Sequence, residues 1–239
     1  MRTAIVTGGT SGIGLAICRR LLSDGFQVAA LYGGDDAAAE ACRSELGILA
    51  QKCDVGNPNE CALHVHRIEE QLGPVDTLIN NAGICRDAPF HKLTENHWSD
   101  VINVDLSSLF NMTRTVWKSM RERSFGRIVN ISSINGLKGQ FGQTNYAAAK
   151  AGVIGFSKSL ALEGARKGIT VNVVAPGYVD TPMLSALKPE TLAMIADGIP
   201  VGRLGRPEDV ARCVSFLVSG DADFITGATI NVNGGQYLA

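Results

Sequence analysis

A chain of 239 residues, of which 45% are hydrophobic and 19% charged, can bury a sizeable core as one large domain. Its formal net charge of −1 lacks the electrostatic footprint of a protein that binds nucleic acid or an anionic membrane surface. No apolar run approaches membrane-spanning length, and the N-terminal one is too short for a signal peptide, so we expect a soluble protein with neither partner.

Short β-branched runs alternate along the chain with longer stretches of helical pattern. The predicted strands are Arg2–Thr7, Gln27–Leu31, Ile48–Cys53, Val75–Asn80, Arg127–Ser132, Thr170–Ala175 and Ala228–Val232. The predicted helices are Gly12–Ser23, Asp36–Leu46, Asn57–Leu72, Leu106–Arg123, Tyr146–Arg166 and Pro207–Ser219. Because several strands are apolar almost throughout, helices should cover both faces of the sheet. The alternation predicts a single α/β domain with a doubly wound parallel sheet of about seven strands.

One segment departs from this alternation. Residues Gly177–Pro200, called the lid segment below, have little strand pattern and are flanked by prolines. A long irregular insertion of this kind is often a mobile lid over a substrate. We therefore predict that role for the lid segment.

The cysteines and histidines argue against a metal centre. The six cysteines are scattered without a Cys-x-x-Cys pair, which suits neither a zinc site nor a secreted disulfide framework. We expect reduced thiols and a cytoplasmic location. The four histidines, His64, His66, His91 and His97, lack a companion ligand cluster and are interpreted as solvated surface residues. No metal is predicted.

The first strand leads directly into a glycine-rich turn, Thr7–Gly14, and then into a helix. Gly8, Gly12 and Gly14 suit a turn that needs positive φ and close backbone approach. The N–H groups at the start of the helix would face an anion, and a pyrophosphate fits there. The spacing Gly-x-x-x-Gly-x-Gly differs from the Gly-x-Gly-x-x-Gly dinucleotide fingerprint, so a glycine turn without a ligand stays an alternative.

A catalytic constellation follows in the second half of the chain. Tyr146 and Lys150 lie four residues apart on a predicted helix and therefore share one face. Ser133 follows a predicted strand, at the sheet edge where open α/β folds bind ligands. Asn103 lies on an earlier helical stretch. Each residue alone has an ordinary structural explanation, but their order behind a glycine turn favours an oxidoreductase.

These residue types can deliver a proton to a carbonyl oxygen while hydride reaches the carbon. The ammonium of Lys150 should lower the pKa of Tyr146, which becomes the proton donor. Lys150 would also hold the cofactor ribose, and Ser133 would polarise the substrate carbonyl. Asn103 could fix a water that relays protons to Lys150.

The end of the second strand bears on the choice of nicotinamide cofactor. NAD-selective sites tend to carry an acidic residue there. Tyr32 holds that place, and Asp35 and Asp36 follow slightly too late. We predict NADPH, with NADH as the alternative. Arg43 is the nearest candidate for the 2′-phosphate, although no arginine stands beside the glycine turn.

With these motifs the chain resembles the short-chain dehydrogenase/reductase family along its whole length. The motifs are Thr7–Gly14, Asp54, Asn80–Gly83, Asn103, Ser133, Tyr146, Lys150, Pro176–Gly177 and Thr181. The resemblance implies a Rossmann-type domain, a homotetramer and catalysis by Asn103, Ser133, Tyr146 and Lys150. The implied cofactor residues are Gly8, Thr10, Ser11, Gly12, Ile13, Gly14, Tyr32, Asp54, Val55, Asn81, Ala82, Gly83, Tyr146, Lys150, Pro176, Gly177, Val179 and Thr181.

Within the family, the segments Val129–Gly136 and Gly139–Tyr146 are most similar to acetoacetyl-CoA reductases of polyhydroxybutyrate synthesis. Reductases acting on 3-oxoacyl-carrier-protein are close behind. The resemblance implies NAD(P)H-dependent reduction of a 3-oxoacyl thioester, most closely acetoacetyl-CoA to (3R)-3-hydroxybutanoyl-CoA. Another ketone or alcohol substrate is a further alternative. The candidate substrate residues are Asp87, Gln140, Gln143 and Tyr178.

Two alternative functions would each be indicated by a particular feature. A basic patch beside the pocket mouth would favour a carrier-protein substrate, and its candidates are Arg121, Arg123, Arg166 and Lys167. A nucleotide-sensing protein without catalysis usually lacks the tyrosine or the lysine of the pair, and this chain has both.

Overall fold

The computed structural model describes residues 1–182, 184 and 188–238. Within these ranges seven parallel strands form one sheet in the order β3-β2-β1-β4-β5-β6-β7. They are β1 (Thr3–Thr7), β2 (Gln27–Tyr32), β3 (Leu49–Lys52), β4 (Val75–Asn80), β5 (Gly126–Ile131), β6 (Ile169–Pro176) and β7 (Thr229–Val232). The predicted doubly wound parallel sheet is confirmed.

The helices include three that the sequence patterns missed, namely α4, α6 and α8. The full set is α1 (Gly12–Ser23), α2 (Asp36–Leu46), α3 (Pro58–Leu72), α4 (Glu95–Ile102), α5 (Ser108–Arg123), α6 (Ile134–Lys138), α7 (Thr144–Gly164), α8 (Pro189–Asp197) and α9 (Pro207–Val218). A π-helical segment, Asn103–Ser107, joins α4 to α5. Across the described residues, no helix combines the length and apolar character needed to cross a membrane.

The lid segment is only partly irregular. Pro189 begins α8, so part of this insertion is helical, while its role as a lid stays a prediction. A proline in the first helical turn loses no hydrogen bond, because the N–H groups there have no partner within the helix. Residues 183 and 185–187 of the lid segment lie outside the described residues.

Strand side chains alternate between two cores, one on each face of the sheet. Ala4 and Val6 of β1 pack in one core with Ile17 of α1. Ile5 packs in the other core with Met112 of α5. Complete burial of such an apolar side chain contributes about 1.5–3 kcal/mol, so helices are held on both faces.

The strand order reverses beside β1, which pairs with both β2 and β4. The chain moves outward from β1 to β3 and then crosses back to β4. The connections after β1 and β4 therefore diverge and leave a crevice at the carboxyl edge of the sheet. Open α/β sheets bind ligands at such a switch point.

The six cysteines all lie in the described part of the chain, and none forms a disulfide bond. Cys18, Cys42, Cys53 and Cys61 are buried. Burial raises the pKa of the Cys18 thiol above its ordinary value. Cys18 therefore packs in the core as a small apolar side chain.

Candidate active site

A cleft of about 390 Å³ opens at the carboxyl edge of the sheet. Its walls come from the connections that follow β1, β4, β5 and β6, and from the start of α7. The lining includes Gly8, Ser11, Gly12, Ile13, Asn81, Ala82, Gly83, Cys85, Ser133, Gln143, Tyr146, Lys150, Pro176, Gly177, Tyr178, Val179, Thr181 and Leu184. The glycine turn thus meets three of the four predicted catalytic residues, Ser133, Tyr146 and Lys150, in one space.

The glycine turn is shaped by close backbone contacts. Gly8 has a φ of 62°, and a Cβ placed at Gly14 would lie 2.0 Å from the Gly8 carbonyl oxygen. The Asn81 side chain donates to the carbonyl oxygens of Thr7 at 2.9 Å and of Gly8 at 3.3 Å, which ties β4 to the turn. Within the described structure the Ser11 side chain does not cap α1, whose first turn has no acidic residue. The helix N-terminus is therefore suited to an anionic pyrophosphate.

Some predicted cofactor residues lie away from the described lining of this cleft, namely Thr10, Gly14, Tyr32, Asp54 and Val55. Thr10 and Gly14 belong to the glycine turn itself. The Asp54 carboxylate accepts the backbone N–H of Gly56 at 2.9 Å, and the Val55 carbonyl accepts from Asn111 at 3.0 Å. Asp54 and Val55 thus shape the connection after β3, and their contact with a cofactor stays a prediction.

Hydrogen bonds and an ion pair connect Tyr32, at the end of β2, with side chains of α2 and β3. The Tyr32 hydroxyl donates to Asp36 at 3.1 Å, and Lys52 lies 2.9 Å from the same carboxylate. The Arg43 guanidinium donates to the Ala50 carbonyl at 2.8 Å and approaches the Tyr32 hydroxyl at 3.4 Å. Arg43 therefore already braces the junction of α2 with β3, and its contact with a 2′-phosphate stays a prediction.

Tyr146, Lys150 and Ser133 come together at the start of α7. Tyr146 lies in the first turn of the helix, and the Lys150 ammonium nitrogen is 5.5 Å from the centroid of its ring. Ser133 lines the same cleft and favours the ionised form of Tyr146, as Lys150 does. The three groups can therefore act on one substrate atom.

The start of α7 is anchored by Asn145, a buried residue that sequence reasoning missed. Its side-chain amide donates to the carbonyl oxygens of Arg86 at 3.1 Å and His97 at 3.0 Å. Its oxygen accepts the backbone N–H of Tyr146 at 2.8 Å. These bonds fix the turn that carries Tyr146, and only the tertiary fold brings their partners together.

The structure does not bring Asn103 into the described lining of the cleft, and its role in a proton relay stays a prediction. Its amide packs against Gly56, where an added Cβ would lie 2.3 Å from Asn103 Nδ2. The residue that contacts Lys150 is Asp105, whose Oδ2 is 3.2 Å from the ammonium nitrogen. Asp105 Oδ1 accepts the backbone N–H of Ile84 at 2.8 Å. Residues two apart on a helix point to nearly opposite sides, so Asn103 faces away from Lys150.

Comparison with known proteins agrees with this geometry. The family described as short chain dehydrogenase matches residues 2–191. The chain belongs to this family. It is 57% identical to an acetoacetyl-CoA reductase of Rhizobium meliloti, over 100% of this chain and 99% of the relative. It is 47% identical to an acetoacetyl-CoA reductase of Cupriavidus necator, over 99% and 98%. A 3-oxoacyl-[acyl-carrier-protein] reductase of Haemophilus influenzae is 44% identical, over 100% and 99%.

The predicted family and the resemblance to acetoacetyl-CoA reductases are therefore confirmed. As a short chain dehydrogenase the chain is an oxidoreductase, and membership implies a nicotinamide cofactor. The residues of the cleft fit such a group. An open helix N-terminus suits its phosphates, and the glycines leave room for close approach.

The protonation of this dehydrogenase's tyrosine differs from the sequence-based expectation. Lys150 favours the phenolate as predicted, yet the pKa of Tyr146 is raised overall. Burial opposes ionisation most strongly, and Cys85 and Asp105 add to it, while Ser133 favours ionisation together with Lys150. Burial also disfavours the ammonium of Lys150, but the charge of Asp105 and the neighbouring Tyr146 raise the pKa of that lysine. Lys150 therefore stays charged and Tyr146 stays a phenol.

The four predicted substrate residues fall into different places. Gln143 and Tyr178 line the cleft. The Gln143 amide donates to Asp87 at 2.7 Å and accepts from Asn135 at 2.9 Å, so Asp87 reaches the site through Gln143. Gln140 is exposed and outside the described lining, so the structure does not bring it into the site.

The four basic residues named as candidates for a patch that would favour a carrier-protein substrate lie at the opposite edge of the sheet. Arg121 and Arg123 end α5, and Arg123 pairs with Asp76 at the start of β4. Arg166 and Lys167 follow α7 and precede β6. The cleft lies at the carboxyl ends of the strands, so the structure contradicts a basic patch of these residues at its mouth.

Three side chains of types that can bind metals lie close together outside the cleft. Ligand atoms of Cys53, Glu60 and His64 lie within 4.8 Å of one another. The Glu60 carboxylate accepts the backbone N–H of Asp54 at 2.9 Å, and His64 Nδ1 lies 2.6 Å from the Gln51 side-chain oxygen. His64 is half-buried and bonded, which corrects its interpretation as a solvated histidine. These bonds give Glu60 and His64 structural roles.

Proposed function

We propose that this chain reduces a 3-oxoacyl thioester, and specifically acetoacetyl-CoA to (3R)-3-hydroxybutanoyl-CoA, with a nicotinamide cofactor. The observation that carries the proposal is the meeting of Tyr146, Lys150 and Ser133 with the glycine turn in one cleft. The substrate is suggested by full-length relatives named acetoacetyl-CoA reductase at 47% and 57% identity.

In the proposed reaction, a bound nicotinamide nucleotide supplies the hydride. The N-terminus of α1 binds the pyrophosphate, and Thr181 holds the nicotinamide carboxamide. Ser133 donates a hydrogen bond to the substrate carbonyl oxygen and polarises it. Tyr146 gives its phenolic proton to that oxygen as the alcohol forms. Lys150 stays charged, orients the phenol and binds the cofactor ribose.

The acyl thioester would lie between the proton donor and the lid segment. Gln143 and Tyr178 line this part of the cleft, together with Leu184. Because Asp87 and Asn135 hold both ends of the Gln143 amide, its position is set before substrate arrives. We propose that Gln143 and Tyr178 contact the thioester and that the lid segment closes over it.

We propose NADPH rather than NADH as the preferred cofactor. Tyr32 ends β2 where NAD-selective sites tend to carry an acid. The nearest carboxylate, Asp36, is bound by the Tyr32 hydroxyl and by Lys52. Such a carboxylate is less available to ribose hydroxyls and repels a 2′-phosphate less.

A homotetramer is proposed from apolar side chains on two faces of the molecule. Phe110 of α5 and Leu162 of α7 are 53% and 82% exposed. Phe216 of α9 and Phe224, just before β7, are 49% and 99% exposed. Two separate apolar faces suit an assembly with two kinds of two-fold interface. A cytoplasmic location is also proposed, on the cysteine spacing.

The preference for CoA over a carrier protein can be measured directly. We expect kcat/KM for acetoacetyl-CoA to exceed that for the acetoacetyl carrier protein by at least about tenfold, or about 1.4 kcal/mol. The reason is that the basic residues suited to an acidic partner lie away from the cleft mouth. A short thioester, acetoacetyl-N-acetylcysteamine, separates the contribution of the CoA nucleotide from that of the acyl group. A preference for the carrier protein would reverse the assignment.

A further inference from the structure

A carboxylate is buried against the catalytic lysine. Asp105 has 0% and Lys150 3% of its side chain exposed, and their charged atoms are 3.2 Å apart. Lys150 also donates to the Ile131 carbonyl at 3.2 Å. A Cβ at Gly83 would lie 2.8 Å from Asp105 Oδ2 and 3.2 Å from the Lys150 nitrogen. The glycine therefore leaves room for the ion pair of Asp105 and Lys150. Burying an ion pair costs free energy of desolvation, so the pair beside Tyr146 calls for a functional explanation.

We propose that Asp105 is a positioning residue that offsets the charge of Lys150 and keeps the Tyr146 phenol protonated, so that reduction persists to higher pH. The inference rests on the proposed role of Tyr146 as proton donor. A lysine alone beside a phenol would favour its ionisation. With a carboxylate oxygen 3.2 Å from the ammonium nitrogen, the phenol faces a nearly neutral pair.

The other groups around Tyr146 leave this balance in place. Lys150 comes from the same helix, Cys85 from the connection after β4, Ser133 from the end of β5 and Asp105 from the π-helical segment. Burial raises the pKa of the Cys85 thiol to about 11, so Cys85 is neutral over most of the working range. Ser133 favours ionisation of Tyr146 but carries no charge. Asp105 is therefore the negative charge that counters Lys150.

The sign of the expected pH effect follows from the chemistry. Reduction requires the protonated phenol, so its rate falls as the pH rises through the pKa of Tyr146. Asp105 raises that pKa, and its removal should lower it. The alkaline limit of reduction should then move to lower pH. Oxidation of the hydroxyacyl thioester requires the phenolate and should begin at lower pH.

The test is the variant Asp105→Asn, which keeps an oxygen to accept the Ile84 N–H. We expect the alkaline limb of acetoacetyl-CoA reduction, and the acidic limb of 3-hydroxybutanoyl-CoA oxidation, to move down by about one pH unit. The matched control is Asp221→Asn, an exposed carboxylate distant in sequence. The control should leave both limbs unchanged.

A purely structural role would lower kcat or stability in Asp105→Asn without moving either limb, and that result would overturn the proposal. Asp105→Ser, a smaller neutral side chain, is the second variant should the first fail to fold. The phenolate absorbance of each protein minus its Tyr146→Phe counterpart gives the same pKa without substrate. An unmoved phenol refutes the role of Asp105, whereas a shifted phenol in a protein that ignores acetoacetyl-CoA refutes only the proposed substrate.

Discussion

Tyr146→Phe is expected to lower kcat for acetoacetyl-CoA about a thousandfold while leaving NADPH affinity within about twofold of the parent. Loss of a positioned general acid costs about 10²–10⁴ in rate, and Tyr146 is the general acid of the proposed reaction. The phenylalanine ring fills the same space, so the walls of the cleft stay in place. Steady-state kinetics and cofactor titration measure the two quantities.

The matched control for this variant is Tyr237→Phe, which removes a phenolic hydroxyl near the C-terminus. It should retain parental kinetics. Tyr146→Phe with more than a tenth of parental turnover would show that another group donates the proton.

Lys150→Met should abolish turnover and also destabilise the fold by about 3–5 kcal/mol, because it leaves Asp105 buried without its cation. The double variant Lys150→Met with Asp105→Asn should recover most of that stability, since an amide carries no charge. It should not recover activity. Denaturant unfolding of the parent, both single variants and the double variant gives the four free energies.

The pH dependence adds a second check on the lysine variant. Burial raises the pKa of Asp105, and Lys150 opposes that rise. Without the cation the carboxyl should stay protonated to higher pH, so the stability deficit should shrink as the pH is lowered toward the ordinary range of aspartate. A pH-independent deficit, or a double variant as unstable as the single one, would contradict the buried-pair account.

The sheet could be predicted from sequence because short apolar strand patterns alternate repeatedly with helical patterns along the chain. Strands buried on both faces are apolar almost throughout, and β1, predicted at Arg2–Thr7, is found at Thr3–Thr7 and is buried along its whole length. The helix α8 was missed although Pro189 and Glu190 carry a helix-start signal. Pro189, inside the lid segment, opens this helix.

In the candidate active site, too, residues set by local spacing could be predicted, whereas residues set by tertiary packing could not. Tyr146 and Lys150 were predictable, since a spacing of four places them on one helix face. The exchange of Asn103 for Asp105 was not, because the side that faces Lys150 depends on how the π-helical segment packs. One signal was present. Asp105 stands between the apolar Val104 and Leu106, an unusual setting for a carboxylate unless it is buried with a partner.

The location of the four basic residues away from the cleft could have been predicted from the sequence, because the fold class fixes the edge of the sheet at which each helix ends. Helices in a doubly wound fold run antiparallel to the strands they connect, so the end of a helix lies at the amino edge of the sheet. Arg121, Arg123, Arg166 and Lys167 all follow or end helices. Their location opposite the cleft follows from the predicted topology.

The proposed reduction can be measured by following NADPH and NADH oxidation with acetoacetyl-CoA, with chiral analysis of the product. We expect saturable turnover, a higher kcat/KM with NADPH than with NADH, and (3R)-3-hydroxybutanoyl-CoA as the product. Protein that binds either cofactor yet does not turn over acetoacetyl-CoA, or that forms the (3S) product, would contradict the proposed reduction.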